Sequence, residues 1–155
     1  MPKKATTTDA DIILKLYDLR REAEIRKART WWTTEFWPQT ADEVLKIANA
    51  LGSTENLYIR QVGGYWEMAA ALALHGTVSQ DLFLEPSFSG EMFFCFAKLK
   101  PFLTELREKL SPTVFANVEK LINSSEAAKD FLRRTEERIA ARRKMTAEAA
   151  MAKAS

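Results

Sequence analysis

The stretch Leu57–Gly76, LYIRQVGGYWEMAAALALHG, decides the fold of this chain. Read as a helix, it is apolar on nearly every side, and its strongly polar interruptions are Arg60, Gln61 and Glu67. A helix without a polar face must be covered by other elements on all sides. The stretch therefore predicts the most buried, central helix of a helical bundle, and Gly76 supplies its C-terminal stop.

Gly63 and Gly64 form a pair in the middle of this helix. A glycine inside a helix costs about 1 kcal/mol of stability relative to alanine. One explanation for Gly63 and Gly64 is that another backbone packs closely against them, and this packing offsets the loss of helix stability. The alternative is a niche for a ligand, left open by the two absent side chains.

Glu67 lies three and four residues after the glycines and seven after Arg60, so all four positions share one helix face. A carboxylate on an apolar helix needs a partner or a change of protonation state. We predict that Glu67 is buried and paired with an arginine, while contact with a ligand and simple exposure remain open. The candidate partners are Arg20, Arg26, Arg60 and Arg107. The candidate ligand-binding residues are Arg60, Gly63, Gly64, Trp66 and Glu67.

Helix signals recur along the rest of the chain. A first helix is predicted from Asp9 or Asp11 towards Trp37, where Pro38 ends it. The segment Thr40–Glu43, TADE, has the pattern of a capping box and predicts the start of a short helix.

Helical periodicity also marks a later segment that begins around Ser89 and runs through Leu110. Pro101 lies inside that pattern and predicts a kink or break near Ala97–Lys100.

The length of 155 residues suits one domain. Period-two alternation typical of strands is absent, so the predicted class is all-α. We expect a single-domain bundle of five to seven helices over residues 9–143. Residues 1–8 are predicted to form a flexible N-terminus, and residues 144–155 a frayed or disordered tail.

Charge and cysteine content exclude several classes of function. The 23 basic and 21 acidic residues are interspersed and give a formal net charge of +2, short of the basic footprint of a nucleic-acid-binding domain. One cysteine, Cys95, and one histidine, His75, exclude an intrachain disulfide and a multi-cysteine zinc site. We predict no catalytic residue, no metal and no cofactor.

The sequence shows no secretory signal and no apolar run of the roughly 18–20 residues that span a bilayer. We therefore expect no membrane insertion and a cytoplasmic location.

Large apolar residues exceed what one bundle of this size needs, and this surplus favours a non-enzymatic interaction module that self-associates as a homo-oligomer. The candidate interface residues are Trp31, Trp32, Trp37, Phe131 and Ile139. One alternative is a small-ligand binder or enzyme with a pocket near Gly63–Glu67. Another is weak contact with an anionic partner or nucleic acid through the basic run Arg133–Lys144, which is also typical of a solvated helix face.

Three segments carry a family resemblance: RKARTWW at Arg26–Trp32, YWEMAAALALHGTVSQDLF at Tyr65–Phe83, and KPFLTELR at Lys100–Arg107. Their order resembles an uncharacterised bacterial family of helical domains of unknown function. The resemblance implies a helical fold from Arg26 to Leu121 and implies no activity. Relatives in that family often carry an N-terminal membrane helix, which this sequence lacks, so a membrane location is not expected to carry over.

Overall fold

The computed structural model describes residues 4–155, and within that range it is helical and contains no strand. The helices are α1 (Thr7–Leu19), α2 (Ala23–Thr34), α3 (Ala41–Asn49), α4 (Thr54–Leu74), α5 (Gln80–Phe83), α6 (Pro86–Leu99), α7 (Leu103–Lys109), α8 (Ala116–Asn123) and α9 (Glu126–Ala154). A 3-10 turn at Lys100–Phe102 joins α6 to α7. The predicted all-α, single-domain bundle is confirmed. The nine α-helices of residues 4–155 exceed the predicted five to seven, because the first predicted helix is divided into α1 and α2 and the helix predicted over Ser89–Leu110 is divided into α6 and α7.

Helix α4 lies at the centre and packs against α2, α3, α5 and α8. Trp66, Ala69 and Ala73 on this helix are fully buried. One stripe of α4 is nevertheless in contact with solvent, and the expectation that the helix has no exposed face is wrong there. The stripe consists of Leu57, Arg60, Gly64 and Met68. Because three of these four residues are uncharged, the sequence pattern did not distinguish this stripe from the buried sides of the helix.

The N-terminal helix is broken in two. It stops at Leu19 and restarts at Ala23, because the Glu22 carboxylate caps α2 by accepting the N–H groups of Glu24 and Ile25. The prediction of one continuous helix towards Trp37 is therefore wrong.

The start of α1 also differs from the prediction. Thr6 is its N-cap, and Asp9 completes a capping box with it while also accepting the Ser79 N–H at 2.7 Å. Within the segment 1–8 that is predicted to be flexible, residues 6–8 thus form the N-cap and the first residues of α1, and residues 1–3 lie outside the described range.

The break predicted from Pro101 is confirmed, because α6 ends at Leu99 and the 3-10 turn follows. In the structure α9 continues to Ala154, across residues 144–155, for which a frayed or disordered tail is predicted. Every residue from Lys144 onward is exposed, so this end of α9 extends beyond the bundle without packing on it. Its alanine-rich sequence, TAEAAMAKA, has high helix propensity and explains why the helix does not stop earlier.

Candidate functional site

The exposed stripe of α4, which we call the glycine face, consists of Leu57, Arg60, Gly64 and Met68. Leu57 and Met68 are 47% and 46% exposed, which is high for large apolar side chains on a central helix. Gly64 lies between them, and a Cβ atom added to it would meet no other atom within 4 Å. Among residues 4–155, the predicted close packing of another backbone on Gly64 does not occur.

Gly63 lies beside the glycine face and borders a groove of about 210 Å³ between α3, α4 and α7. Most of the residues that line this groove are apolar, and they include Val44, Leu106 and Val114. A Cβ atom on Gly63 would lie 3.8 Å from the ring of Phe115. The neighbour of Gly63 is therefore an aromatic ring rather than the expected backbone.

Phe115 is held in a strained conformation at one end of the groove. Its φ of 51° and ψ of 27° are left-handed, and among residues 4–155 it is the one non-glycine residue with positive φ. Such a conformation costs about 1–2 kcal/mol for a residue with a side chain. Burial of the ring, which packs near Phe96 and Gly63, offsets this cost. The strained residue is the N-cap of α8 and provides no side-chain cap.

Glu67 supplies the missing cap from another helix. Its carboxylate accepts the N–H groups of Asn117 at 3.2 Å and Val118 at 2.9 Å, in the first turn of α8. These amides have no partner within α8, and the helix dipole favours a negative charge near them. The predicted ion pair between Glu67 and an arginine is wrong, because helix amides take the place of the guanidinium. Glu67 is also half-buried rather than buried as predicted.

Two of the arginines considered as partners for Glu67 have other roles. Arg107 pairs with Glu119 at 2.8 Å, and Arg20 is buried and donates to the carbonyl of Phe88 at 3.3 Å.

The structure gathers only part of the predicted ligand-binding set. Gly63, Gly64 and Glu67 line the groove, whereas Arg60 is exposed on the glycine face outside it. Trp66 is fully buried elsewhere, and its indole N–H donates to Glu91 at 3.1 Å. Trp66 is therefore a core residue.

A second site, which we call the aromatic–arginine cleft, lies between α6 and α9 and has a volume of about 340 Å³. Its residues are Trp37, Gly90, Phe94, Phe131, Thr135, Arg138, Ile139 and Arg142. Three predicted interface residues, Trp37, Phe131 and Ile139, thus meet in one cleft.

The other two predicted interface residues are part of the core. Trp31 is 7% exposed and stacks on Phe36 with ring centroids 4.6 Å apart. Trp32 is 1% exposed and donates its indole N–H to the carbonyl of Tyr58. The premise that these tryptophans are exposed is wrong, because the chain folds onto them.

Lys98 is fully buried next to the cleft and was missed from the sequence. Its ammonium donates to the carbonyl of Trp32 at 2.5 Å and lies 3.9 Å from the centroid of the Trp37 ring and 4.9 Å from that of Phe94. No carboxylate pairs with it among residues 4–155. Burial lowers the pKa of Lys98 to about 7. The signal in the sequence is that Lys98 is the only charged residue in Met92–Leu99.

A comparison with models of protein families matches residues 5–125 to a family described as Domain of unknown function (DUF4760). The chain belongs to this family. The DUF4760 match includes the whole glycine face, and α9, which forms one wall of the cleft, follows it. The resemblance to helical domains of unknown function is thereby confirmed.

Searches of the curated proteins and of the solved structures each found no significant match. In the part of the chain that the structure describes, no helix has the length and apolar character needed to cross a membrane.

Proposed function

We propose that this chain is a non-enzymatic interaction module that self-associates through the glycine face. The observation that supports this most strongly is the position of Gly64, exposed in the middle of a helix. Glycine there costs about 1 kcal/mol relative to alanine, and none of the described residues occupies the space of the missing side chain. A second backbone crossing at Gly64 would use that space.

Exposed apolar residues flank Gly64 on both sides. Leu57 precedes it by seven residues and Met68 follows it by four, so the face extends over about 16 Å of α4. Leu110, which lines the neighbouring groove, is 38% exposed. Apolar residues grouped on one face, rather than scattered singly, mark an interaction surface.

The charge of Arg60, the one charged residue of the face, favours a second copy of this chain as its partner. In an antiparallel pair with a two-fold axis at Gly64, each residue before the glycine faces a residue after it on the other copy. Arg60 of one copy then faces Glu67 and Met68 of the second copy. Arg60 forms no ion pair among residues 4–155, so its charge is available to attract the Glu67 carboxylate of the second copy, which also caps α8 in that copy.

The face is short, which sets the expected strength of association. Two helices that cross over this length bury less than the roughly 1,200 Å² typical of stable interfaces. We therefore expect a reversible dimer with a dissociation constant in the range of about 1–100 μM.

Sedimentation equilibrium over that concentration range tests the proposal with Gly64→Leu. A leucine at this position projects into empty space, so the fold of one copy is unaffected while a second backbone is kept away. We expect the unmodified chain to approach twice 17.6 kDa and the variant to remain at 17.6 kDa.

Gly90→Leu is the matched control, because Gly90 is also helical and a Cβ atom there also meets no other atom within 4 Å. This control should associate like the unmodified chain. A mass of 17.6 kDa for the unmodified chain at every concentration would contradict the proposal, as would normal association of Gly64→Leu.

A further inference from the structure

We infer that the aromatic–arginine cleft binds a small molecule that carries a carboxylate on a flat apolar body. This site lies on α6 and α9 and is separate from the glycine face on α4, so the inference does not depend on self-association.

The shape and lining of the cleft suit a flat apolar group. Its volume of about 340 Å³ falls within the range of small-molecule pockets, near the lower end. The rings of Trp37, Phe94 and Phe131 contribute to its walls, and so does the buried Ile139. Aromatic side chains of this kind hold planar ligands by stacking or by edge-to-face contact.

Gly90 leaves space on the α6 side of the cleft. It is a helical residue without positive φ, so its backbone does not require glycine. A Cβ atom added to it meets nothing within 4 Å. Glycine weakens a helix, and no described residue packs into the space that a side chain at position 90 would take. The absent side chain instead keeps the cleft open.

The cleft is positively charged and has no carboxylate in its lining. Arg138 and Arg142 are one turn apart on α9, and like charges at this spacing repel each other. Neither arginine is in an ion pair among the described residues 4–155. An anion between them would replace repulsion with two charge-assisted hydrogen bonds.

Trp37 holds cations close to the site. The guanidinium of Arg142 lies 4.8 Å from the centroid of its ring, and the ammonium of Lys98 lies 3.9 Å from the same centroid. The guanidinium of Arg142 is therefore oriented before a ligand arrives, which lowers the entropic cost of binding. Arg143 adds a further positive charge nearby, since its side chain donates to the carbonyl of Lys98 at 2.9 Å.

Isothermal titration calorimetry with 2-naphthoate and with its neutral analogue 2-naphthamide tests the inference on the full chain. We expect 2-naphthoate to bind saturably and 2-naphthamide to bind at least about tenfold more weakly, since it lacks the charge that the arginines recognise. Arg138→Gln and Arg142→Gln should each weaken 2-naphthoate binding about tenfold. Gly90→Leu should abolish binding by filling the cleft.

Two control variants separate the cleft from general charge and from self-association. Lys144→Gln removes an exposed cation of α9 that does not line the cleft, and Gly64→Leu alters the other candidate site. Both should bind 2-naphthoate like the unmodified chain. Thermal melting of each variant confirms that it is folded.

Three results would overturn the inference. The first is equal affinity for the acid and the amide, and the second is unchanged affinity in Gly90→Leu. The third is the absence of saturable 2-naphthoate binding up to about 5 mM, a limit that covers even weak specific sites. If an octaglutamate peptide binds and 2-naphthoate does not, the cleft recognises a protein segment and the small-molecule inference is wrong.

Discussion

Lys98 is the residue whose environment departs most from its sequence context. A buried ammonium is usually paired with a carboxylate, but here a carbonyl oxygen and aromatic rings surround it. Burial lowers its pKa from 10.5 in the free side chain to about 7. At a pH between these two pKa values, Lys98 has released its proton in the folded chain but still binds it in the unfolded chain. The free energy of unfolding therefore rises with pH over this range.

We predict this pH dependence for the unmodified chain and its absence in Lys98→Met. Urea unfolding from pH 7 to pH 9 should show the stability of the unmodified chain rising by about 2 kcal/mol relative to the variant. The measured range stops at pH 9 because burial raises the pKa of the Cys95 thiol. Above this pH the thiol ionises in the unfolded chain but stays protonated in the folded chain, which lowers the free energy of unfolding. Parallel stability curves for the two proteins would show that the buried amine stays protonated.

Glu67 illustrates how much of the glycine-face region could be predicted from the sequence. Helical spacing correctly placed Glu67 on one side of α4 with Gly63 and Gly64. Its partner could not be predicted, because the free amides of α8 are identified only once α8 is known to pack against α4. Lys98 and Gly90 were missed for the same reason, since only the packing of α6 against α9 and Trp37 brings them to the cleft.

At the scale of elements, local signals predicted the ends of helices where a single residue type dominates. Pro101 ends α6 as expected, and Thr40 caps α3 by accepting the Glu43 N–H. The Glu43 carboxylate accepts the N–H of Gln39 rather than that of Thr40, so only half of the predicted capping box forms. The break before α2 was missed because its cap, Glu22, is not among the usual N-cap residues.

The cap of α8 by Glu67 leads to a prediction about two elements at once. Glu67→Ala should lower the free energy of unfolding by about 1–2 kcal/mol, because two helix amides lose their acceptor. Glu67→Gln should cost about half as much, since one neutral acceptor oxygen remains. Chemical denaturation measures both, with Glu148→Ala on the exposed end of α9 as the control. If Glu67→Ala is as stable as this control, the carboxylate is solvated and α8 is not capped by α4.

At the scale of the whole molecule, the glycine face and the aromatic–arginine cleft are surfaces that the packing of residues 4–155 leaves open. The glycine face lies inside the region that matches the DUF4760 family, and the aromatic–arginine cleft requires α9, which follows that region. The surplus of large apolar residues predicted self-association, but the tryptophans expected at the interface are largely in the core. The proposed interface therefore moves to the stripe of α4 where a glycine lies between two exposed apolar residues.

Disulfide trapping at position 64 tests this central claim most directly. Cys95, the only native cysteine, is buried, so a cysteine at Gly64 is the reactive one. On a two-fold axis the two introduced thiols face each other, within the short distance that a disulfide requires. We expect Gly64→Cys to form a covalent dimer of twice 17.6 kDa under mild oxidation, much faster than Leu14→Cys, which places a thiol at an exposed position of α1. Cross-linking of Gly64→Cys no faster than that of Leu14→Cys would contradict self-association through the glycine face.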